Sequence, residues 1–342
     1  MPTSQLIIYT ASDIGGPGLL TGQTGSLISL LDACLVNGYV SHSAAGWTKP
    51  LGTISGSLSA YKQGSGSQFT VLVNDAGPNS AAGAKEAWVV GWEQITSLTS
   101  STTANFSGSN GGGFGQFPLP VQSLTTGHVP WRKSSSADAT GRYWVIAADP
   151  STFYIWVQTG DNTGMYYFGS FGDIFSLKSS DAYKCLITGR AVENTGVLIN
   201  TDWQDNITVS QLTTAQPGHF IARTAGGIGG STAITKKGDG SVSSTNFGGS
   251  PNQYSIDGTF QTPNSLDNSL YMSPLWIIEP TIAMIRGKVR GLYHMCHALS
   301  SFTDGQVLQG SGDFAGKTFL ILRKGAGNGI ITIEISPTVD TN

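Results

Sequence analysis

Two apolar runs, Arg142 to Ala148 (RYWVIAA) and Thr152 to Gln158 (TFYIWVQ), are separated only by Asp149-Pro150-Ser151. Aromatic and β-branched residues dominate both runs, which suits a pleated, half-buried surface. Asp, Pro and Ser in succession are turn residues, each for its own backbone reason. The pair therefore predicts an antiparallel hairpin, and a chain that carries such a hairpin near its middle must build a sheet around it. Similar short runs recur on both sides. Ser4 to Tyr9, Phe69 to Val73, Ala87 to Glu93, Met165 to Phe168, Lys184 to Ile187 and Gly218 to Arg223 are all strand candidates. Leu275 to Ile278, Ile285 to Tyr293, Lys317 to Arg323 and Gly329 to Ile335 complete the set, the last two joined as a closing hairpin. Asn74-Asp75-Ala76-Gly77-Pro78 is a strong turn signal.

One segment departs from this grammar. Leu27, Ile28, Leu30, Leu31, Cys34 and Leu35 recur at helical spacing. Ser26 or Thr24 can cap the start, and Asn37-Gly38 supplies a left-handed end. The fold expected is α+β, mainly antiparallel β, with β-rich modules and this single amphipathic helix packed on a sheet. Three modules are expected: residues 1–125, 126–273 and 274–342. Two stretches, Ser107 to Gln116 and Thr224 to Gln253, lack apolar pattern. The second is either a surface loop or an arm that orders on a neighbouring subunit. No repeat period of 20 to 50 residues is present.

Composition matters for what the surface does. Charged residues make up 11% of the 342, against roughly 25% in an ordinary soluble domain. Aromatics at 10% exclude a disordered chain. Ser, Thr, Asn and 46 Gly take the place of charge. Such an exterior repels neighbours weakly, so it suits a protein packed against others. A net charge of −3 gives no field for nucleic acid. No signal peptide is expected at Met1-Pro2-Thr3-Ser4, and no apolar stretch of about 18 residues predicts a membrane span. Cys34, Cys185 and Cys296 are too few and too scattered for a disulfide framework.

Candidate chemistry is sparse. Gly312 to Thr318 (GDFAGKT) resembles a phosphate-binding loop but fails on spacing, and reads as a turn entering a strand. His294-Met295-Cys296-His297 is the one local group of metal-type ligands, with no second pair to complete a zinc site. No metal and no cofactor is expected. Asp149, Asp161, Asp173 and Asp181 lie among aromatics, as glycosidase carboxylates do, but sit beside turn residues. Trp156, Tyr154, Lys236, Lys237, His294 and His297 are candidate interface or glycan-contact residues.

Several segments have the look of one family. They are Leu30 to Tyr39 with Gly46-Trp47-Thr48-Lys49-Pro50, Gln68 to Pro78 with Lys85-Glu86-Ala87, Phe171-Gly172-Asp173 through Ser180 to Cys185, Arg286 to His294, and Gly312 to Phe319. Together they resemble a family of structural proteins of tailed-bacteriophage virions, from about residue 5 to the C-terminus. The resemblance implies membership of the particle, assembled in the bacterial host cytoplasm, with no catalytic residue set and no fixed place on head, neck or tail. The neutral, hydroxyl-rich surface leads to the expectation of a non-enzymatic, capsid-decorating role. Tail or baseplate placement and host-glycan recognition are the alternatives. The partners implied are copies of itself and major capsid or tail proteins, with a host-surface glycan as a further candidate. Nucleic acid and membrane are not expected partners. The matching motifs themselves look like folding signals.

Overall fold

The central hairpin forms as expected: Trp144–Ala148 and Thr152–Gln158 pair antiparallel, with Ala148 opposite Phe153. The computed structural model describes residues 5–54, 57–76, 85–99, 111–118, 128–160, 166–188, 192–193, 210–211, 215–216, 219–227, 229–232, 234–236, 246–247, 272–279, 284–295, 302–324 and 329–336. Among them, every pairing between named strands is antiparallel, and the protein is a strand-dominated α+β chain with one short helix.

Three large sheets carry the fold. The central sheet runs Ile7–Thr10, Trp144–Ala148, Thr152–Gln158, Tyr166–Asp173, Cys185–Thr188, His219–Arg223, Gly229–Thr232 in spatial order. The N-terminal sheet runs Thr53–Ile54, Leu58–Lys62, Thr70–Asn74, Glu86–Leu98, Gly111–Phe117, and Val129–Arg132 also pairs with Glu86–Leu98. The C-terminal sheet runs Ile234–Lys236, Met272–Glu279, Met284–Met295, Gly329–Glu334, Thr318–Lys324, Val307–Gln309. The small strand Phe175–Ser176 pairs with its Met284–Met295.

The sheets are layered, with the central one in the middle. Its odd and even residues go to different cores, because successive side chains on a strand point to opposite faces. Phe153, Ile155 and Val157 join Val71, Val73, Val89 and Trp131 of the N-terminal sheet in one core. Tyr154 and Trp156 join Leu275, Ile277, Leu320 and Ile333 of the C-terminal sheet in the other. Both faces of Thr152–Gln158, in the middle of the central sheet, are therefore dry. The outer face of the N-terminal sheet carries a further apolar cluster of Leu58, Ala60, Leu72, Val90, Trp92 and Ile95.

The helix differs from expectation at its start. It is α-helical over Ser26–Leu31 and continues as a π-helix over Asp32–Asn37. Its apolar stripe lies in the core shared with the N-terminal and central sheets. Neither Ser26 nor Thr24 caps it. Gly25 holds the cap position in a left-handed conformation, and the Asp75 carboxylate, distant in sequence, accepts from the Leu27 and Ile28 amides instead. Gly38 ends it as expected, with φ +71° and its N–H donating to Ala33 O.

Several strands lie where none was expected. Gly111–Phe117 falls partly in a stretch without apolar pattern, yet pairs along Glu86–Leu98. Its glycines make room: a Cβ on Gly111 would meet Ile95 at 2.7 Å, and one on the facing Gly91 would meet the Phe117 ring at 2.3 Å. Val129–Arg132 was hidden by Pro130, which the strand tolerates in pairing with Glu86–Leu98 alone. Leu58–Lys62, mostly Ser, Ala, Tyr and Lys, lacks a strong strand signature. Part of the Thr224 to Gln253 stretch is also ordered as strands, Gly229–Thr232 closing the central sheet and Ile234–Lys236 opening the C-terminal one.

Candidate functional site

The hairpin turn at Asp149 is where the three layers are tied together. Asp149 Oδ1 accepts from Ser151 N at 2.7 Å, Ser151 Oγ at 2.9 Å and Thr152 N at 2.9 Å, which closes the turn. Its Oδ2 takes the Arg290 guanidinium of the C-terminal sheet, and both side chains are buried. Its carbonyl accepts from Trp47 Nε1 at 2.7 Å, on the N-terminal side. The Pro150 carbonyl accepts from Gly64 N and Ser65 N. Gln63 Nε2 donates to Ser151 O and, at 3.1 Å, to Asp173 Oδ1.

Beside this turn lies a cleft of about 580 Å³ whose walls come from all three layers. Ser65 and Gly66 form one wall, the loop from Asp173 to Lys184 another, and Ser151 and Arg290 the floor. The loop wall is set by Asp181. Its carboxylate accepts from Arg286 Nη2 at 2.7 Å and Nε at 2.6 Å, from Ser176 Oγ at 2.6 Å and from Tyr183 N at 3.1 Å. Arg286 and Arg290 lie on one strand, Met284–Met295, and pair with Asp181 and Asp149 respectively. Gly66, at φ +73°, lets the opposite wall approach: a Cβ there would lie 2.4 Å from Asp173 Oδ2.

The two cleft carboxyls sit in different electrostatic environments. Burial pushes the Asp173 carboxyl up, and this outweighs the Gln63 bond, the Lys184 ammonium at 3.7 Å and the Ser67 amide at 3.0 Å. Burial also pushes Asp181 up, but there Arg286, Ser176 and Tyr183 win, and the carboxyl is held below its usual range. A raised acid beside a depressed one is the electrostatic pattern of an acid–base pair. The hydrogen bonding does not suit that task. Both Asp181 oxygens are committed to Arg286, and Asp173 accepts from Gln63 at Oδ1 and from the Ser67 amide at Oδ2, with the Lys184 ammonium as an ion-pair partner. What the cleft offers a visitor is the serine-rich loop, Lys178, Lys184 and the Phe175 ring, with Lys288 Nζ 5.3 Å from that ring's centre.

The residues expected to touch a glycan are elsewhere. Trp156 and Tyr154 are 2% and 1% exposed, in the core between the central and C-terminal sheets. Trp156 stacks on Tyr166, and the Tyr154 hydroxyl donates to Arg290 O. A glycan-contact role for them is corrected: alternation places them on one face of their strand, and that face is covered by another sheet. Lys236 ends an edge strand opposite Trp276, and His294 lies next to the end of the strand Met284–Met295, opposite Ser273 on one side and Ile331 on the other. Lys237, His297 and Asp161 lie outside the described residues. Among the described residues no group of three or more His, Cys, Asp and Glu stands ready for a metal ion. Gly316-Lys317 is a turn entering the strand Thr318–Lys324, as expected of that motif.

Sequence reasoning did not see Lys178, Lys184, Gln63, Arg286 and Arg290 as one site. The signal was present in two segments already singled out by resemblance, Phe171 to Cys185 and Arg286 to His294, which meet at this cleft. No model of a known protein family matches the chain, and no curated protein matches it.

Proposed function

We propose that this chain is a non-enzymatic structural protein of a tailed-phage virion, located there as a capsid-decorating or cementing subunit. The observation that carries this reading is where the scarce charge goes. Of the chain's few ionisable side chains, Asp75, Glu86, Arg132, Lys133, Arg142, Asp149, Asp173, Asp181, Arg286, Arg290 and Glu334 are buried. Most of them form ion pairs in or between the layers. The exterior is thus poorer in charge than the composition alone implies. A surface of hydroxyls, amides and glycine is cheap to cover with protein and repels a neighbour weakly.

Three further features support it. Ile14 and Val40 are 79% and 87% exposed, on two loops that touch each other. An apolar tip of this kind suits a contact with a capsid protein or with another copy. The family-like segments supply ties within and between the layers: Lys49 on Asp32 fixes the helix, and Trp47 on Asp149, Arg286 on Asp181 and Arg290 on Asp149 join the layers. They serve rigidity, which a particle component needs. The saturated cleft carboxylates support the non-enzymatic reading.

Quantitative mass spectrometry of purified particles tests the placement. Copies in proportion to capsid subunits or capsomers are expected. A count matching a single ring of the tail would move the protein to the tail or baseplate. The cleft favours one second reading, recognition of a host-surface saccharide by the loop serines, Lys178 and Phe175. A glycan array on the pure protein decides it, with binding abolished by Phe175→Ala as the expected sign.

A further inference from the structure

Lys133 and Asp75 are set apart from the other lysine–carboxylate pairs. Their side chains are 1% and 0% exposed, whereas the lysines pairing with Asp32, Asp173 and Glu334 are 18–28% exposed. Arginine pairs cannot react in the way considered next, since a guanidinium keeps its proton. Asp75 follows the strand Thr70–Asn74, and Lys133 follows Val129–Arg132. Both strands pair with the start of Glu86–Leu98, one from each side: Asn74 opposite Trp88, and Arg132 opposite Glu86.

The contact has the parts of an acyl-transfer site. Lys133 Nζ donates to Asp75 Oδ1. It also donates to Gln23 O at 2.8 Å and to Asp75 O at 3.3 Å, so its other hydrogens are held away from the carboxyl carbon. Asp75 Oδ2 accepts from Leu27 N–H at 2.8 Å and Ile28 N–H at 3.3 Å. Two backbone donors on one carboxyl oxygen are the arrangement that stabilises an oxyanion during attack at the carbon. The surroundings are the apolar core of Leu27, Ile28, Val73 and Trp131.

We propose that Lys133 and Asp75 condense spontaneously into an intramolecular amide, making this pair a self-modification site. One proton passes from Nζ to Oδ1, leaving an amine and a carboxylic acid. Burial favours that neutral pair, since it pushes the Asp75 carboxyl up and the Lys133 amine down. The nitrogen lone pair attacks Cγ and forms the C–N bond. The Cγ–Oδ2 π electrons move onto Oδ2, where the Leu27 and Ile28 amides hold the charge. A second proton passes from nitrogen to the Oδ1 hydroxyl. The electrons on Oδ2 return, the Cγ–Oδ1 bond breaks, and Oδ1 leaves as water. The sum is ammonium plus carboxylate giving amide plus water, with no oxidant, metal or co-reactant. The product ties together residues 58 apart and staples the two strands that flank Glu86–Leu98.

The intact mass of the full chain, measured after denaturation, tests this directly. With removal of Met1 accounted for, the wild-type chain is expected lighter than its sequence by one water. Proteolysis should release a branched peptide whose fragment spectrum joins Asp75 to Lys133. Lys133→Arg, which keeps a cation beside Asp75 but has no reactive amine, should show its full sequence mass. A wild-type chain at full sequence mass, or a water lost at any other position, overturns the proposal. The measurement rests on the native chain, so it decides the matter even if the variant folds poorly.

Discussion

The two seams of the layered structure are built differently. Between the N-terminal and central sheets the contact is aromatic on both sides: Trp47 and Trp131 meet the Phe153 ring edge-on at 5.2 and 5.6 Å. The polar ties across it are largely neutral, such as Trp131 Nε1 to Thr188 O at 2.8 Å and Tyr167 Oη to Pro130 O at 3.2 Å. The ion pair that spans it, Arg223 with Glu93, lies at the rim with the arginine 27% exposed. Between the central and C-terminal sheets the aromatics come from the central side and meet Leu275, Ile277, Val289, Leu320, Leu322 and Ile333. That seam carries two buried arginine–aspartate pairs. Aliphatic contact is non-directional, whereas a fork of guanidinium N–H groups on a carboxylate fixes both distance and angle. The first seam is held in register by the shapes of its rings, the second by its charges.

Disrupting each seam in turn sharpens that contrast. Trp131→Ala removes a filled ring position and a buried hydrogen bond. It should cost about 4 kcal/mol in denaturant unfolding, and no second substitution nearby should restore it. Arg290→Met leaves Asp149 buried without its cation and should cost about 3 kcal/mol. Combining it with Asp149→Asn should recover much of that loss in a double-mutant cycle. Additive losses would show that the pair is not a unit. Asp173→Asn is a smaller change whose effect depends on pH. The raised carboxyl of Asp173 binds its proton more tightly folded than unfolded, so its ionisation penalises the fold at neutral pH, and the penalty lifts as pH falls through the folded value. Asn, which does not titrate, should therefore remove this pH dependence, so that wild type gains stability relative to it as pH falls. Asp181 runs the other way: its stabilisation is present above the ordinary aspartate range and is lost as pH falls through its depressed value. Val40→Asp should change stability by less than about 0.5 kcal/mol, and under the proposed virion role it should reduce incorporation into particles. Unchanged incorporation would remove the exposed tip from the assembly contact.

Many of the strands were legible because the apolar runs are short, aromatic or β-branched, and punctuated by Gly, Pro and Asp. The helix was legible from spacing, and its end from Gly38. Its start was not, since Asp75 arrives from a strand 48 positions away. Trp156 and Tyr154 were misassigned for a related reason: a strand pattern shows which residues share a face, not what covers it. The cleft is a product of tertiary pairing between residues 173–184 and 286–290. No local spacing encodes that pairing, although the family-like segments bracketed it. Gly111–Phe117 is held by what its partner strand lacks, and a missing side chain leaves no hydrophobic signature.

The doubly covered central sheet has a consequence for how its strands find alignment. In a sheet with one wet face, sliding a strand by one residue turns its greasy side to water and is rejected at once. Here the same slip in Thr152–Gln158 would merely exchange Tyr154 and Trp156 for Phe153 and Ile155. Water does not penalise that error. The discrimination falls to side-chain size and to the anchored end of the hairpin, where Asp149 grips its own turn, a tryptophan and an arginine. That aspartate serves as the ruler from which the positions of the neighbouring strands are measured.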